Sequence, residues 1–192
     1  MAKRPDHYMG HAALGLILQG RGEVEAAILE FRAARRCYPH FVEGEDNPYR
    51  GEATCCFSLG RMDEGIAALR ALCEQNGLDT QARIELARAL RDQGKASGAL
   101  AVLDDALFGD VTNAAVHRLR ADILADQKRP EDRAAALGLG SHAAPKDLEA
   151  ALTAAGAWLE LGKPEQAKPF RTRAKALKPQ DPRVLELDAR LK

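Results

Sequence analysis

The sequence predicts an all-α fold, an α-solenoid of about five helix-turn-helix units followed by a C-terminal capping helix, and three observations support it. The 192 residues are 46% hydrophobic but only 5% aromatic, and they are rich in alanine, a composition that favours helices over strands. Glycines recur at a nearly fixed period, with gaps of 38, 34 and twice 34 residues between Gly22, Gly60, Gly94 and Gly162. The residues around each glycine repeat as well. A fixed period in the thirties is typical of stacked supersecondary units.

Each glycine is interpreted as the turn between two short helices, and the positions around it keep their character from unit to unit. Small residues, which allow two helices to approach closely, stand seven places before the turn at Gly15, Ala53, Ala87, Ala121 and Ala155. Core-filling residues stand four places before it at Leu18, Cys56, Leu90, Leu124 and Trp158. Proline or glycine, which stops a helix, closes four of the five units, at Pro39, Gly77, Pro145 and Pro179.

This arrangement of small, large and proline positions at a period of 34 resembles the tetratricopeptide repeat, a helix-turn-helix family, over about residues 8–181. The resemblance implies a right-handed solenoid and one domain, residues 1–192, with repeats at 8–41, 46–79, 80–113, 114–147 and 148–181. The fourth repeat departs from the pattern, since Lys128 replaces the turn glycine and Arg120 replaces an expected leucine. We therefore expect the turn of this repeat to form without the glycine that the other turns use.

Helix punctuation predicts the ends of the helices independently of the family. Pro130 and Pro164 directly follow turns, where a first-turn proline loses no hydrogen bond, so both should open second helices. Asp79 and Asp181 are placed to cap the helices that follow them. The final stretch, residues 182–192, is either a capping helix or the first half of a sixth repeat.

The one irregular gap places four extra residues between the first two repeats. Residues 42–47 include Glu43, Glu45 and Asp46, and a residue that precedes a proline is disfavoured in the α region. We therefore predict an acidic loop, followed by a helix that begins at Pro48. This loop is either a tolerated surface insertion or a segment that contacts a binding groove.

The charge balance argues against strongly charged partners. With 28 basic and 28 acidic side chains the formal net charge is zero, so no overall field draws nucleic acid or an anionic membrane. No apolar run approaches the roughly 18 residues of a transmembrane helix, and Lys3 and Arg4 precede no export-signal core. We expect a cytoplasmic protein without a nucleic-acid or membrane partner.

The four cysteines do not form a metal motif. Cys37, Cys55, Cys56 and Cys73 include no Cys-x-x-Cys pair, and adjacent cysteines on a helix cannot easily direct both thiols to one metal. We expect reduced, small core residues, with a redox pair of Cys37 and Cys55 as the alternative.

No motif for catalysis or for a cofactor stands out. The P-loop, His-Glu-x-x-His and Gly-x-Ser-x-Gly signatures are absent, and the glycines within residues 138–143 do not follow a strand, as a dinucleotide fingerprint requires. The five histidines are scattered over helices and loops. We therefore predict a protein that is not an enzyme and has no catalytic residue, cofactor or metal site.

In the family that the sequence resembles, the first helices of the repeats line a concave groove, and alignment carries the groove positions over to this chain. The candidate partner-binding residues are Arg50, Phe57, Arg88, Arg91, Arg118, Leu152 and Leu159. Arginine holds a carboxylate through two parallel hydrogen bonds, so arginines beside apolar residues suit an acidic or C-terminal peptide with hydrophobic anchors. The alternative is an ordinary solvated face, on which the arginines pair with Asp92, Asp122 and Asp126.

The predicted function is a non-catalytic scaffold or adaptor that binds a peptide or protein segment, an acidic one under the arginine hypothesis, in this groove. One alternative is a self-associating, homo-oligomeric scaffold, because the open ends of a solenoid expose apolar surface that must be covered. The other is a regulatory segment of a larger enzyme.

Overall fold

The structure, a computed structural model, describes residues 7–40, 44 and 47–191, and within these ranges the chain is helical with no strand. The described part contains eleven helices: α1 Tyr8–Gly20, α2 Val24–Cys37, α3 Pro48–Ser58, α4 Met62–Gln75, α5 Thr80–Asp92, α6 Ala96–Gly109, α7 Ala114–Asp126, α8 Pro130–Ala143, α9 Leu148–Glu160, α10 Pro164–Leu177 and α11 Pro182–Arg190. Each first helix of a pair is followed by a short turn and a second helix of 14 residues. The predicted all-α fold of five helix pairs and a final helix is confirmed.

The helices form two compact units that divide after Lys95. In the first unit, α2 packs on both α1 and α3, and α4 packs on both α3 and α5. In the second unit, each helix from α6 to α9 packs on the next one along the chain, and α11 packs on both α9 and α10. That the whole chain counts as one domain stays a prediction.

The turns between paired helices share one backbone conformation. Gly22, Gly60, Gly94 and Gly162 have positive φ angles between 67° and 78°, and Lys128 has φ 56° at the equivalent place. In the fourth repeat, the Lys128 amide donates to Ala125 O at 3.0 Å and the Arg129 amide to Leu124 O at 3.0 Å. These are the two bonds of a Schellman motif, and the Gly94 turn makes the same pair. The lysine therefore enters the left-handed region itself, and the repeat keeps its register.

The small positions seven residues before each turn are buried in all five pairs. The reason is clearest at Gly15, where an added Cβ would lie 2.7 Å from the ring of Phe31 on α2. Gly51 on α3 faces the same ring from the other side, with a Cβ position 2.5 Å away. The aromatic ring thus fills the space that two glycines leave, which packs α2 between α1 and α3.

Capping residues begin the helices where the sequence predicts. The Asp79 carboxylate accepts from the Ala82 amide at 2.8 Å, and Asp181 accepts from the Arg183 amide at 3.0 Å. Pro48, Pro130, Pro164 and Pro182 all occupy the first turns of their helices. Helix α11 buries its apolar side, so Val184 packs with Leu148 and Ala174, and Leu187 packs with Phe170.

Of the predicted acidic loop, Glu43, Glu45 and Asp46 lie outside the described residues. Two residues of this loop are described: Gly44 has φ 80°, and the buried Asn47 side chain donates to Gly44 O at 3.0 Å. Helix α3 begins at Pro48, as the sequence predicts.

Candidate functional site

The second unit contains a cleft of about 310 Å³ between α7, α8 and α9. We call it the α7–α9 cleft, and it is lined by Ala114, Arg118, Asp122, Arg133, Leu137, Gly140, Ser141, Ala144, Glu149, Ala150 and Thr153. Its floor is mainly apolar or small, and its charged residues stand around the opening. A concave, partly apolar site with a few polar groups is the usual form of a ligand pocket.

Small residues on α8 keep this cleft open. Gly140 stands where the second repeat has the buried Leu72, and an added Cβ at Gly140 would lie 3.2 Å from His117 Cβ. Ser141 is fully buried beside it, and Arg173 donates to both the Ser141 carbonyl at 2.6 Å and its hydroxyl at 3.0 Å. The wall formed by α8 is therefore fixed by internal contacts.

The rim of the cleft carries both signs of charge. Arg118 is 65% exposed, and its Nη2 lies 3.5 Å from Asp147 Oδ2. Arg133 Nη1 lies 3.6 Å from Glu160 Oε2. Contacts of this length between exposed groups are weak, so both guanidinium groups can turn toward a ligand. Asp122 is exposed on the same rim.

A second cleft, of about 290 Å³, adjoins the first between α9 and α11. It is lined by Glu149, Leu152, Thr153, Gly156, Arg183, Glu186, Leu187 and Arg190. Glu149 and Thr153 border both clefts. The exposed side of α9 thus forms a ridge with a concave surface on each side.

Of the predicted site residues in this unit, two line a cleft and one joins the core. Arg118 stands on the rim of the α7–α9 cleft, and Leu152 lines the second cleft. Leu159 is partly buried, in the cluster that contains Phe170 and Leu187. A role for Leu159 in partner binding stays a prediction.

In the first unit, Arg50 already holds two carboxylates. Its side chain is 13% exposed, its Nε donates to Glu85 Oε2 at 2.9 Å, and its Nη2 donates to both Asp79 oxygens at 3.1 Å. A ligand carboxylate would have to displace these partners. If the arginines formed an ordinary solvated face, the sequence predicted that they would pair with Asp92, Asp122 and Asp126. The carboxylates that Arg50 and Arg118 contact are instead Asp79, Glu85 and Asp147.

The remaining predicted residues of the first unit differ in exposure. Phe57 is half-buried, and its ring lies against Gly65 so closely that a Cβ there would overlap it. Arg88 is exposed on α5, and Arg91 is half-buried one turn later. Arg88 is therefore the most accessible predicted arginine of this unit.

Sequence reasoning missed a cluster around Glu52. This carboxylate is 4% exposed, accepts from Arg32 Nε at 2.7 Å, and also accepts from Arg35 Nη1. The guanidinium of Arg35 lies 4.0 Å from the centre of the Tyr49 ring. Hydrogen bonds with Glu52 and Glu64 raise the pKa of Arg32 above its usual range. The sequence did contain a signal for this cluster, because Glu52 stands at a position that is apolar in the third and fifth repeats.

The four cysteines are free thiols. Cys55 and Cys56 are buried core residues, as predicted, and burial raises the pKa of Cys73 to about 11. Within the described ranges, no group of three histidine, cysteine, aspartate or glutamate side chains is placed to hold a metal ion. No helix of this part of the chain has both the length and the apolar character needed to cross a bilayer.

Comparisons with known proteins agree with the helix-pair architecture. Residues 57–123 match a family model described as tetratricopeptide repeat, while no curated protein sequence matches the chain. The C-terminal part of a TPR repeat-containing protein from Cytophaga hutchinsonii superposes with a TM-score of 0.74 at 15% identity, over 97% of this chain and 75% of that one.

Two further solved structures are similar over almost their whole length. MamA gives a TM-score of 0.68 at 14% identity, covering 90% of this chain and 92% of MamA. YrrB, described as a TPR protein with an unusual peptide-binding site, gives 0.63 at 13% identity, covering 97% and 94%. At such identities the likeness concerns the fold. The family match at residues 57–123, with helix pairs of the same kind before and after it, supports the assignment of this chain to the tetratricopeptide repeat family.

Proposed function

We propose that this protein is a non-catalytic scaffold that holds a peptide or protein segment against the exposed faces of its first helices. The single observation that supports this best is the α7–α9 cleft. Arg118 and Asp122 belong to α7 and Glu149 and Thr153 to α9, so the cleft opens on the side where first helices present their exposed residues. YrrB, which shares the fold, is described as having a peptide-binding site.

The cleft has the size of an anchor for a short segment. Its volume of about 310 Å³ is at the lower end of the roughly 300–1,000 Å³ of small-molecule sites. Leu137, Ala144 and Ala150 offer apolar contact for one or two inserted side chains, and the charged rim offers partners for the polar backbone of the ligand. The second cleft extends this surface along α9 and gives a place for further residues of the same segment.

An acidic ligand is the finer part of the proposal. Arg118 and Arg133 are exposed enough to form bidentate pairs with a carboxylate, and Arg88 is exposed in the first unit. Asp122 on the cleft rim disfavours a second acidic group close by. We therefore expect a ligand with one carboxylate near Arg118 and an apolar side chain in the floor, instead of a uniformly acidic segment.

The cleft is tested by filling it. A peptide is selected from a random library on the full chain, and its affinity is measured by calorimetry for the wild type and the Thr153→Trp variant. Thr153 is exposed, and its hydroxyl donates to Glu149 O at 2.7 Å. Thr172 on α10 is a matched control, because it is also exposed and donates to Lys168 O at 3.0 Å. Thr153→Trp should weaken binding by about tenfold or more, because the indole occupies the space of the ligand. Thr172→Trp should leave the affinity unchanged, and equal binding by both variants would contradict the site.

The acidic preference is tested separately by charge reversal. Changing Arg118 to glutamate should weaken capture of an acidic peptide by about tenfold and make it less salt-sensitive. A version of the same peptide in which neutral amides replace the carboxylates should bind the wild type and the charge-reversed variant equally well. Unchanged binding of the acidic peptide would contradict a role for Arg118 in binding, but it would not contradict the cleft as the binding site.

We place this scaffold in a reducing compartment such as the cytoplasm. Cys55 and Cys56 are buried free thiols, and reduced cysteines are usual in that environment. Thiol labelling of the protein unfolded without reductant, followed by intact mass measurement, should show four labels. Two or fewer labels would indicate a disulfide and an oxidising compartment.

A further inference from the structure

The exposed half of α1 carries no polar side chain. Met9 is 61% exposed and Ile17 is 52% exposed. All exposed residues of this helix are apolar or glycine, namely Met9, Gly10, Ala13, Leu14, Leu16, Ile17 and Gly20. An apolar helix face is normally buried, and contiguous exposed apolar surface on a protein marks an interaction site.

Comparison with the later repeats shows what this face is shaped to receive. The residues equivalent to Ile17 in the other first helices are Cys55, Ala89, Ile123 and Ala157, and none of them is more than 5% exposed. In α3 the covering element is a helix, because α2 packs on α3 and sets the Phe31 ring over Gly51. Among the described residues, no helix covers the equivalent face of α1, which is formed by Gly10, Ala13, Leu14 and Ile17. It therefore has the form of a seat for one helix.

We propose that α1 of a second copy of this chain occupies the seat, antiparallel and related by a two-fold axis near Ala13 and Leu14. The face is self-complementary in this arrangement. Ile17 lies opposite Gly10 of the second copy, and Leu14 lies opposite Ala13 of the second copy, so each large residue meets a small one. A two-fold contact repeats both pairings on the other side of the axis.

The absence of charge on this half of α1 supports a second copy as the occupant. When two identical faces meet, any charged side chains near the two-fold axis repel their own copies. The exposed half of α1 has no charged side chain, so this repulsion does not arise. In such a dimer, each α1 buries the exposed apolar face of the other, so a single contact removes both faces from water. The 13 residues of α1 extend for about 20 Å, which gives a small interface and a reversible dimer.

The association is measured on the full chain by sedimentation velocity between about 1 μM and 1 mM. The wild type should pass from monomer to dimer over this range, and a monomer throughout would overturn the proposal. Ile17→Glu should weaken dimerisation by about tenfold or more, because it places a charge in the contact. Leu139→Glu is the control, since Leu139 is also a helical residue and is 49% exposed, and this variant should dimerise like the wild type.

A second variant tests the antiparallel register. Gly10→Lys alone should weaken the dimer, and the double variant Gly10→Lys with Ile17→Glu should associate about tenfold more tightly than either single variant, since opposite charges then meet between copies. The two positions are seven residues apart and do not face each other as neighbours within one helix. A double variant no tighter than the single ones would overturn the register.

Circular dichroism of each variant confirms that the helices persist, as expected for exposed positions. Thr153→Trp in the α7–α9 cleft should leave dimerisation unchanged, because that cleft belongs to the second unit. Failure of the dimer and failure of the peptide site are therefore separate results.

Discussion

The turn at Lys128 gives the most direct test of how the repeat sequence determines the fold. Lys128 is an exposed residue with φ 56°, whereas the four equivalent turn residues are glycines. An L-residue in the left-handed region costs roughly 1–2 kcal/mol, while glycine gives back roughly 0.5–1 kcal/mol through the greater freedom of the unfolded chain. Lys128→Gly should therefore raise the free energy of unfolding by about 0.5–1 kcal/mol, with both Schellman hydrogen bonds retained.

Urea unfolding followed by circular dichroism measures this change, and a thermal melt should show an increase of about 1–4 °C for a chain of this size. The neighbouring Gln127 provides the control, because it has φ −83° in the same turn. Gln127→Gly gains nothing from glycine and should lower the free energy of unfolding by about 0.5–1 kcal/mol. If Lys128→Gly is neutral or destabilising while Gln127→Gly behaves as expected, the backbone conformation is not what the turn glycines are selected for.

Three further predictions concern packing, a buried charge and pH. Gly65→Ala should lower the free energy of unfolding in urea by about 1–3 kcal/mol, because the added Cβ would overlap the Phe57 ring. Gly156→Ala should raise it by about 0.5–1 kcal/mol, because the space around Gly156 is open. Glu52→Gln should cost about 2 kcal/mol by the same measurement, since it removes the charge that two partly exposed arginines share. Hydrogen bonds from the side chain and the amide of Arg183 hold the pKa of the Asp181 carboxyl below its usual range. Its stabilisation is complete above a pH of about 4 and is lost as the pH falls through the lower folded value, so melts of wild type and Asp181→Asn should differ at pH 7 and converge near pH 2.

The helix boundaries could be predicted because they depend on neighbouring residues. A proline in the first turn, an aspartate before it and a residue with positive φ at the end act over four or five residues. Pro48, Asp79 and Pro164 therefore stand where they were expected. The turn at Lys128 was recognised as an exception from the period, although the sequence did not show that the lysine would adopt the glycine conformation.

The candidate site could be predicted only in part, because side-chain partners come from distant segments. Arg50 was expected to face a ligand, but its carboxylate partners lie 29 and 35 residues further along the chain. The α7–α9 cleft was not predicted, since it depends on the small residues of α8 leaving space between two first helices. Position in a repeat determines which side of a helix a residue occupies, and it does not determine what that residue contacts.

The sequence by itself determined the period, the helix pairs, the turns and the resemblance to the tetratricopeptide repeat, because these follow from local backbone preferences repeated along the chain. Only the tertiary structure decided which groups are available for binding. It pairs Arg50 and Glu52 with internal partners, leaves Arg118 at the edge of a cleft, and leaves the apolar side of α1 exposed. The physical reason is that burial and ion pairing are properties of surfaces brought together by folding, and residues at equivalent positions in the repeats meet different neighbours.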